Sequence, residues 1–141
     1  MKKHLLVDKT IMSIDIASDR KAIRFALDDG KFVIARAEGD CCSETWIESI
    51  SLPALGFPAL VISAADVDMP DLGAPQDEDS ECRQYYGFEI VTDKGSILID
   101  YRNESNGYYG GNLAWPGEHF YGGVFGQNRS TEEWEPAREK A

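Results

Sequence analysis

Ala22-Ile23-Arg24-Phe25-Ala26-Leu27-Asp28-Asp29-Gly30-Lys31-Phe32-Val33-Ile34-Ala35-Arg36-Ala37 is the stretch whose reading decides the fold. Ile23, Phe25 and Leu27 alternate with Arg24 and Ala26, and a period of two belongs to a half-buried strand. Asp-Asp-Gly then separates this run from a second apolar run. Glycine supplies the positive φ that a tight turn between antiparallel strands needs. The stretch therefore predicts a β-hairpin. Working outward, residues 10–16 add a strand in which Ile14 and Ile16 flank Asp15. Residues 10–37 thus read as a three-strand meander.

A second hairpin reads in the same way. Tyr85–Thr92 alternates Phe88 and Ile90 with Glu89, and Ser96–Arg102 alternates Ile97, Ile99 and Tyr101 with Leu98 and Asp100. Asp93-Lys94-Gly95 between them suits a three-residue turn with glycine in the left-handed position. Pro58–Ala65 supplies another strand, continuing towards Val67. Ser43–Ile50 predicts a short helix: Trp46, Ile47 and Ile50 have helical spacing, Asp40 or Ser43 offers a cap, and Pro53 stops it. Residues 68–84, with Pro70, Gly73, Pro75 and the acidic run 77–81, read as an exposed loop. Residues 103–127 hold seven glycines among aromatic rings, a pattern of loops carrying rings, with a last short strand near Phe120–Phe125. His4 lies in a terminal segment read as frayed. The expected architecture is mainly β: an antiparallel sheet or partly open barrel of about six strands with one short helix. It occupies one domain, 1–141, with 128–141 as a flexible tail.

The chain has 141 residues and a net charge of −11, from 25 acidic and 14 basic residues. Direct nucleic-acid binding needs a basic face that displaces counterions, so the charge argues against it. An acidic surface keeps a domain soluble, and it can also imitate nucleic acid towards a protein that binds it. No apolar run approaches the roughly 18 residues of a membrane span, and the start lacks a secretory core of about 7–15 apolar residues. Three cysteines without an export signal imply free thiols in the cytoplasm.

Two segments carry the densest chemistry. In Gly39-Asp40-Cys41-Cys42-Ser43-Glu44-Thr45-Trp46 the adjacent thiols lack the C-x₂₋₄-C spacing of a zinc site, so no metal is expected. A thiol-dependent enzyme using Cys41 or Cys42 remains an alternative, although Asp40 and Glu44 disfavour a thiolate. The second is Arg102-Asn103-Glu104-Ser105-Asn106-Gly107-Tyr108-Tyr109-Gly110-Gly111. Arg102 can grip an anion bidentately, Asn103, Ser105 and Asn106 offer donors and acceptors, and Tyr108 and Tyr109 can stack on a planar ligand. With Cys41, Cys42 and Trp46 they form a candidate pocket for a small anionic or nucleotide-like ligand. The alternative is that the polar side chains hold a turn and Arg102 pairs with Asp100 or Glu104. No phosphate loop, dinucleotide fingerprint or nucleophile elbow is present, so no catalytic residue and no cofactor is implied.

Together, Gly-Asp-Cys-Cys-Ser-x-Thr-Trp, Tyr-Gly-Phe-x-Ile-x-Thr and Arg-Asn-x-Ser-Asn-Gly-Tyr-Tyr-Gly-Gly resemble a family of small uncharacterised bacteriophage and prophage proteins over about residues 7–113. The resemblance implies a phage-type origin and a place in the host cytoplasm, and it carries no assigned activity. The functional expectation is a non-enzymatic accessory protein that binds a host protein, with Asp77, Glu78, Asp79 and Glu81 as the partner-binding element. Host defence or nucleic-acid machinery would suit such an acidic surface. Small-ligand binding is the second reading, and a structural protein of the phage particle is a further one.

Overall fold

A computed structural model describes residues 4–39, 44–68, 82–105, 111–116 and 133–138. They form nine strands: β1 (Thr10–Ala17), β2 (Ala22–Leu27), β3 (Phe32–Gly39), β4 (Glu44–Ile50), β5 (Ala59–Asp68), β6 (Cys82–Thr92), β7 (Gly95–Ser105), β8 (Gly111–Ala114) and β9 (Trp134–Pro136). The order is β4-β7-β6-β5-β1-β2-β3-β8, an open antiparallel path, with β9 paired to β1 off the path. No helix among the described residues is long and apolar enough to cross a membrane.

The expected meander is present as β1–β3. Ile23 and Phe25 are fully buried, Leu27 nearly so, and Ala26 pairs with Phe32. Gly30 takes φ +84°, and the Asp29 carboxylate accepts the Lys31 N–H at 2.9 Å, which closes the turn. The second hairpin is also present, with a shorter turn than expected. Thr92 pairs with Gly95, so only Asp93 and Lys94 lie in the loop. Gly95 belongs to the strand at φ +123°, and a β-carbon there would lie 2.9 Å from the Ala54 backbone nitrogen. The neighbouring Pro53–Ala54 backbone, rather than the turn alone, demands glycine.

The expected helix at 43–50 is instead strand β4, and the reason is a β-bulge. β4 pairs with β7 as Ile47↔Tyr101 and then Ser49↔Asp100, so one extra residue is accommodated on β4. A bulge shifts the alternation by one position. Ile47 and Ile50, three apart, therefore both point into the core, at 0% and 2% exposure. Bulges break the alternation similarly in β1 between Ile11 and Ser13 and in β5 between Val61 and Ser63.

The count of nine exceeds the expected six by β4, β8 and β9. β8 pairs with β3 from Arg36↔Ala114 to Gly39↔Gly111. Directly after it, Trp115 enters the core, 5.5 Å from the Phe25 ring and 5.0 Å from Phe88. From His4 onward the first segment is packed rather than frayed. Leu6 is fully buried, and the His4 ring lies 4.4 Å from Trp115, edge-on. The tail, too, contains structure: β9 pairs Asp15↔Pro136, Ile16↔Glu135 and Ala17↔Trp134. Arg24 holds it there, with its guanidinium 4.7 Å from the Trp134 ring and 4.9 Å from Phe32. Pro136 lacks a ladder donor, which suits this peripheral strand. The expected strand near Phe120–Phe125 falls outside the described residues.

β5 joins the two halves of the sheet. Its first residues pair with β1 (Ile11↔Ala59) and the rest pairs with β6 (Val61↔Thr92 to Asp68↔Tyr86). β9 occupies the length of β1 beyond the pairing with β5. The two halves fold over one buried cluster that includes Phe25, Ile47, Ile90, Ile99 and Trp115.

Candidate functional site

The registers bring the ends of three sequence-distinctive segments to one end of the sheet. Gly39↔Gly111 and Glu44↔Glu104 are ladder pairs, so the strands flanking residues 40–43 and 106–110 are neighbours on both sides. Cys82 pairs with Ser105, the last residue of β7, so β6 starts at this same end. The chain leading into β6 carries the acidic run. Asn106, Tyr108, Tyr109, Cys41, Cys42, Asp77, Glu78, Asp79 and Glu81 lie outside the described residues, and their flanking strands converge. Ser105 is placed by its backbone pairing alone.

Just inside this end, the period-two alternation of β7 separates two residues that are adjacent in sequence. Arg102 faces outward and Asn103 faces the core. Asn103 and Thr45, directly paired across β4 and β7, are both fully buried, and the Thr45 hydroxyl donates to Asn103 Oδ1 at 2.8 Å. Leaving one buried polar atom of such a pair without its partner costs about 1–3 kcal/mol, so the pair favours this register over its neighbours.

On the outer face, Trp46 (β4), Arg102 (β7) and Tyr85 (β6) align as a row, because Arg102 is the register partner of both others. The Arg102 guanidinium lies 4.8 Å from the Tyr85 ring centroid. It pairs with Asp100 at 3.2 Å and approaches Glu48 at 4.0 Å. Trp46 Nε1–H donates to Glu48 Oε1 at 3.1 Å. Arg102 is thus the centre of a neutralised network, and an anion arriving there would compete with Asp100. Beneath the row, Tyr101 is 3% exposed and stacks on Tyr86 at 5.1 Å. Burial pushes its hydroxyl well above the usual tyrosine range, the charge of Asp66 and Tyr86 adds to this, and a hydrogen bond with the Leu113 backbone opposes it.

β4 is fastened on its other side as well. Ile47 N–H donates to the Arg20 carbonyl at 2.8 Å, Lys21 Nζ donates to the Thr45 carbonyl at 2.8 Å, and Arg20 Nη2 donates to the Glu48 carbonyl at 2.9 Å. The row therefore stands on a strand held from both sides. Among the described residues no group of three or more His, Cys, Asp or Glu could hold a metal ion. The contributions of Tyr85 and Glu48 had no local signal in the sequence. They are 17 or more positions from Arg102, and only the strand pairing unites them.

No curated protein and no solved structure matches the chain. A family model described as a domain of unknown function, DUF7448, matches residues 4–115. Its two limits, His4 and Trp115, are rings in contact across the core. The match leaves β9 outside and spans most of the chain, so this protein belongs to the DUF7448 family of domains of unknown function.

Proposed function

We propose that this chain is a non-enzymatic, phage-type accessory protein that acts in the host cytoplasm by binding a host protein through an acidic surface. The observation that carries this reading is the convergence at one sheet end. The strands flanking the acidic run 77–81, the Cys-Cys segment and the Gly-Tyr segment meet there, beside the Trp46–Arg102–Tyr85 row. Trp, Tyr and Arg are the residues that most often dominate protein–protein interfaces. A row of them on a rigid sheet, with the acidic run leading into one of its strands, offers anchors and a steering charge together. The net charge of −11 agrees in sign with a partner that has a basic surface.

The test is affinity capture from bacterial host lysate with three baits: the wild type, a charge-reversed chain (Asp77→Lys, Glu78→Lys, Asp79→Lys, Glu81→Lys), and Trp46→Thr with Tyr85→Thr. A single stoichiometric partner retained by the wild type and lost from both variants supports the reading. Capture that survives charge reversal, or no partner at all, refutes it. Unfolding curves of the three baits separate lost binding from lost fold.

A further inference from the structure

Far from the row in sequence, the β1–β2 turn and the end of β9 border a recess of about 360 Å³ lined by Ile16, Arg20, Glu135, Pro136 and Arg138. Its volume lies near the lower end of small-ligand pockets, about 300–1,000 Å³. Two guanidinium side chains line it. Arg20 sits in the turn at φ +62°, a backbone conformation unusual for a residue with a β-carbon. Its Nη2 donates to the Glu48 carbonyl at 2.9 Å, which fixes the side chain without cancelling its charge. Arg138 follows β9, which is docked by the Ile16↔Glu135 pairing.

The arginines of this chain differ in how their charge is met. Arg24 has Asp15 at 2.9 Å and Arg102 has Asp100 at 3.2 Å. Among the described residues, Arg20, Arg36 and Arg138 have no carboxylate within ion-pair distance, and of these Arg20 and Arg138 line one recess. In a chain with 25 acidic residues, a concavity lined by two guanidiniums against the single carboxylate of Glu135 is a local positive excess within an acidic molecule. Guanidinium presents paired N–H donors that match carboxylate or phosphate oxygens.

We propose that this recess binds an oxyanion group, carboxylate or phosphate, of a small ligand, gripped by Arg20 and Arg138 above the apolar surface of Ile16 and Pro136. Glu135 on the lining opposes high negative charge. It favours a ligand that carries a hydrogen-bond donor beside its anion. The recess exists only with β9 docked on β1, so occupancy also stabilises that docking by mass action. This site adjoins β4 through the Arg20 hydrogen bond to the Glu48 carbonyl, but it shares no lining residue with the Trp46–Arg102–Tyr85 row.

Titration of the full chain with sodium phosphate and, separately, sodium succinate tests it. Sodium chloride at matched ionic strength is the control, and backbone amides and arginine guanidinium N–H groups are followed by NMR. Saturable shifts centred on Arg20, Glu135, Ala137 and Arg138 are expected, with slower hydrogen exchange at β9. Saturation by phosphate alone or by succinate alone supports the site and identifies the oxyanion, and saturation by both supports the shared chemistry. Arg138→Ala should weaken binding by about tenfold, the loss of a charge-assisted contact. Glu135→Gln should tighten it. Shifts that follow sodium chloride, or that persist unchanged in Arg138→Ala, overturn the proposal. Charge reversal at 77–81 should leave these shifts in place, so this proposal and the partner proposal fail independently.

Discussion

Removing Glu48 altogether should leave the protein folded. The bulge in β4 places one more residue between Ile47 and Ile50 than β7 provides opposite them. Deleting Glu48 restores a regular ladder: Ile47 still faces Tyr101, the shortened strand still brings Ile50 opposite Ile99, and both isoleucines still point inward. What is lost is the Arg20 hydrogen bond to the Glu48 carbonyl, the Trp46–Glu48 contact and the approach of Arg102 to the Glu48 carboxylate at 4.0 Å. Hydrogen bonds of this kind contribute about 0.5–3 kcal/mol each, so a loss of about 2 kcal/mol is expected. Truncating the inward residues is worse. Ile47→Ala and Ile50→Ala should each cost about 2–5 kcal/mol, against a total of about 5–15 kcal/mol for a typical domain. Trp46→Thr, on the outer face and with a good strand former, should cost about 1 kcal/mol. Urea unfolding followed by far-UV circular dichroism measures all four, with an unchanged m-value as the check on two-state behaviour. On a helix, deleting one residue would rotate Ile50 by about 100° away from Ile47. A Glu48 deletion that costs more than Ile50→Ala, or Trp46→Thr as damaging as Ile47→Ala, would refute the bulge argument.

Two further outcomes follow from local chemistry. Gly95→Ala should destabilise by about 1–3 kcal/mol, because its β-carbon meets the Ala54 backbone as well as an unfavourable φ. Gly56→Ala, at φ +81° with nothing within 4 Å, should cost only the conformational part, roughly 1–2 kcal/mol, and equal losses at the two sites would remove the close-approach argument. Tyr101 stays neutral in the folded protein above its ordinary value of 10.0. The unfolded chain releases that proton first, so stability holds below pH 10 and falls above it. This one group contributes at most about 1.4 kcal/mol per pH unit. Tyr101→Phe should flatten the alkaline fall measured by urea midpoints between pH 9 and 11.5, and an identical slope in the variant would discount the burial.

Much of the candidate site was legible as segments and little of it as geometry. The Cys-Cys and Gly-Tyr motifs and the acidic run stand out in composition, and their strand-end positions follow from the hairpins beside them. Their convergence does not, since Gly39 meets Gly111 and Glu44 meets Glu104 only through pairings across about 60 to 70 residues. Arg102 and Asn103 read as one polar cluster because they are consecutive. In a strand, consecutive side chains part to opposite faces, so one became an outer network and the other a buried hydrogen bond with Thr45. The Arg20–Arg138 recess was invisible for the same reason in stronger form: its walls come from opposite ends of the chain.

The sequence alone determined the β class, the two hairpins and their inward faces. Alternation and turn chemistry are local, and Ile23, Phe25, Ile97 and Ile99 carry their burial in their spacing. Tertiary structure decided the rest. Bulges in β1, β4 and β5 change the phase of alternation, and a bulge depends on the strand opposite. That is why Ile47 and Ile50 mimic a helix in sequence and line a sheet in space. Pairing of β8 and β9, and burial of Leu6 and Trp115, arise because distant surfaces need covering once the hairpins have formed. No residue near them announces it.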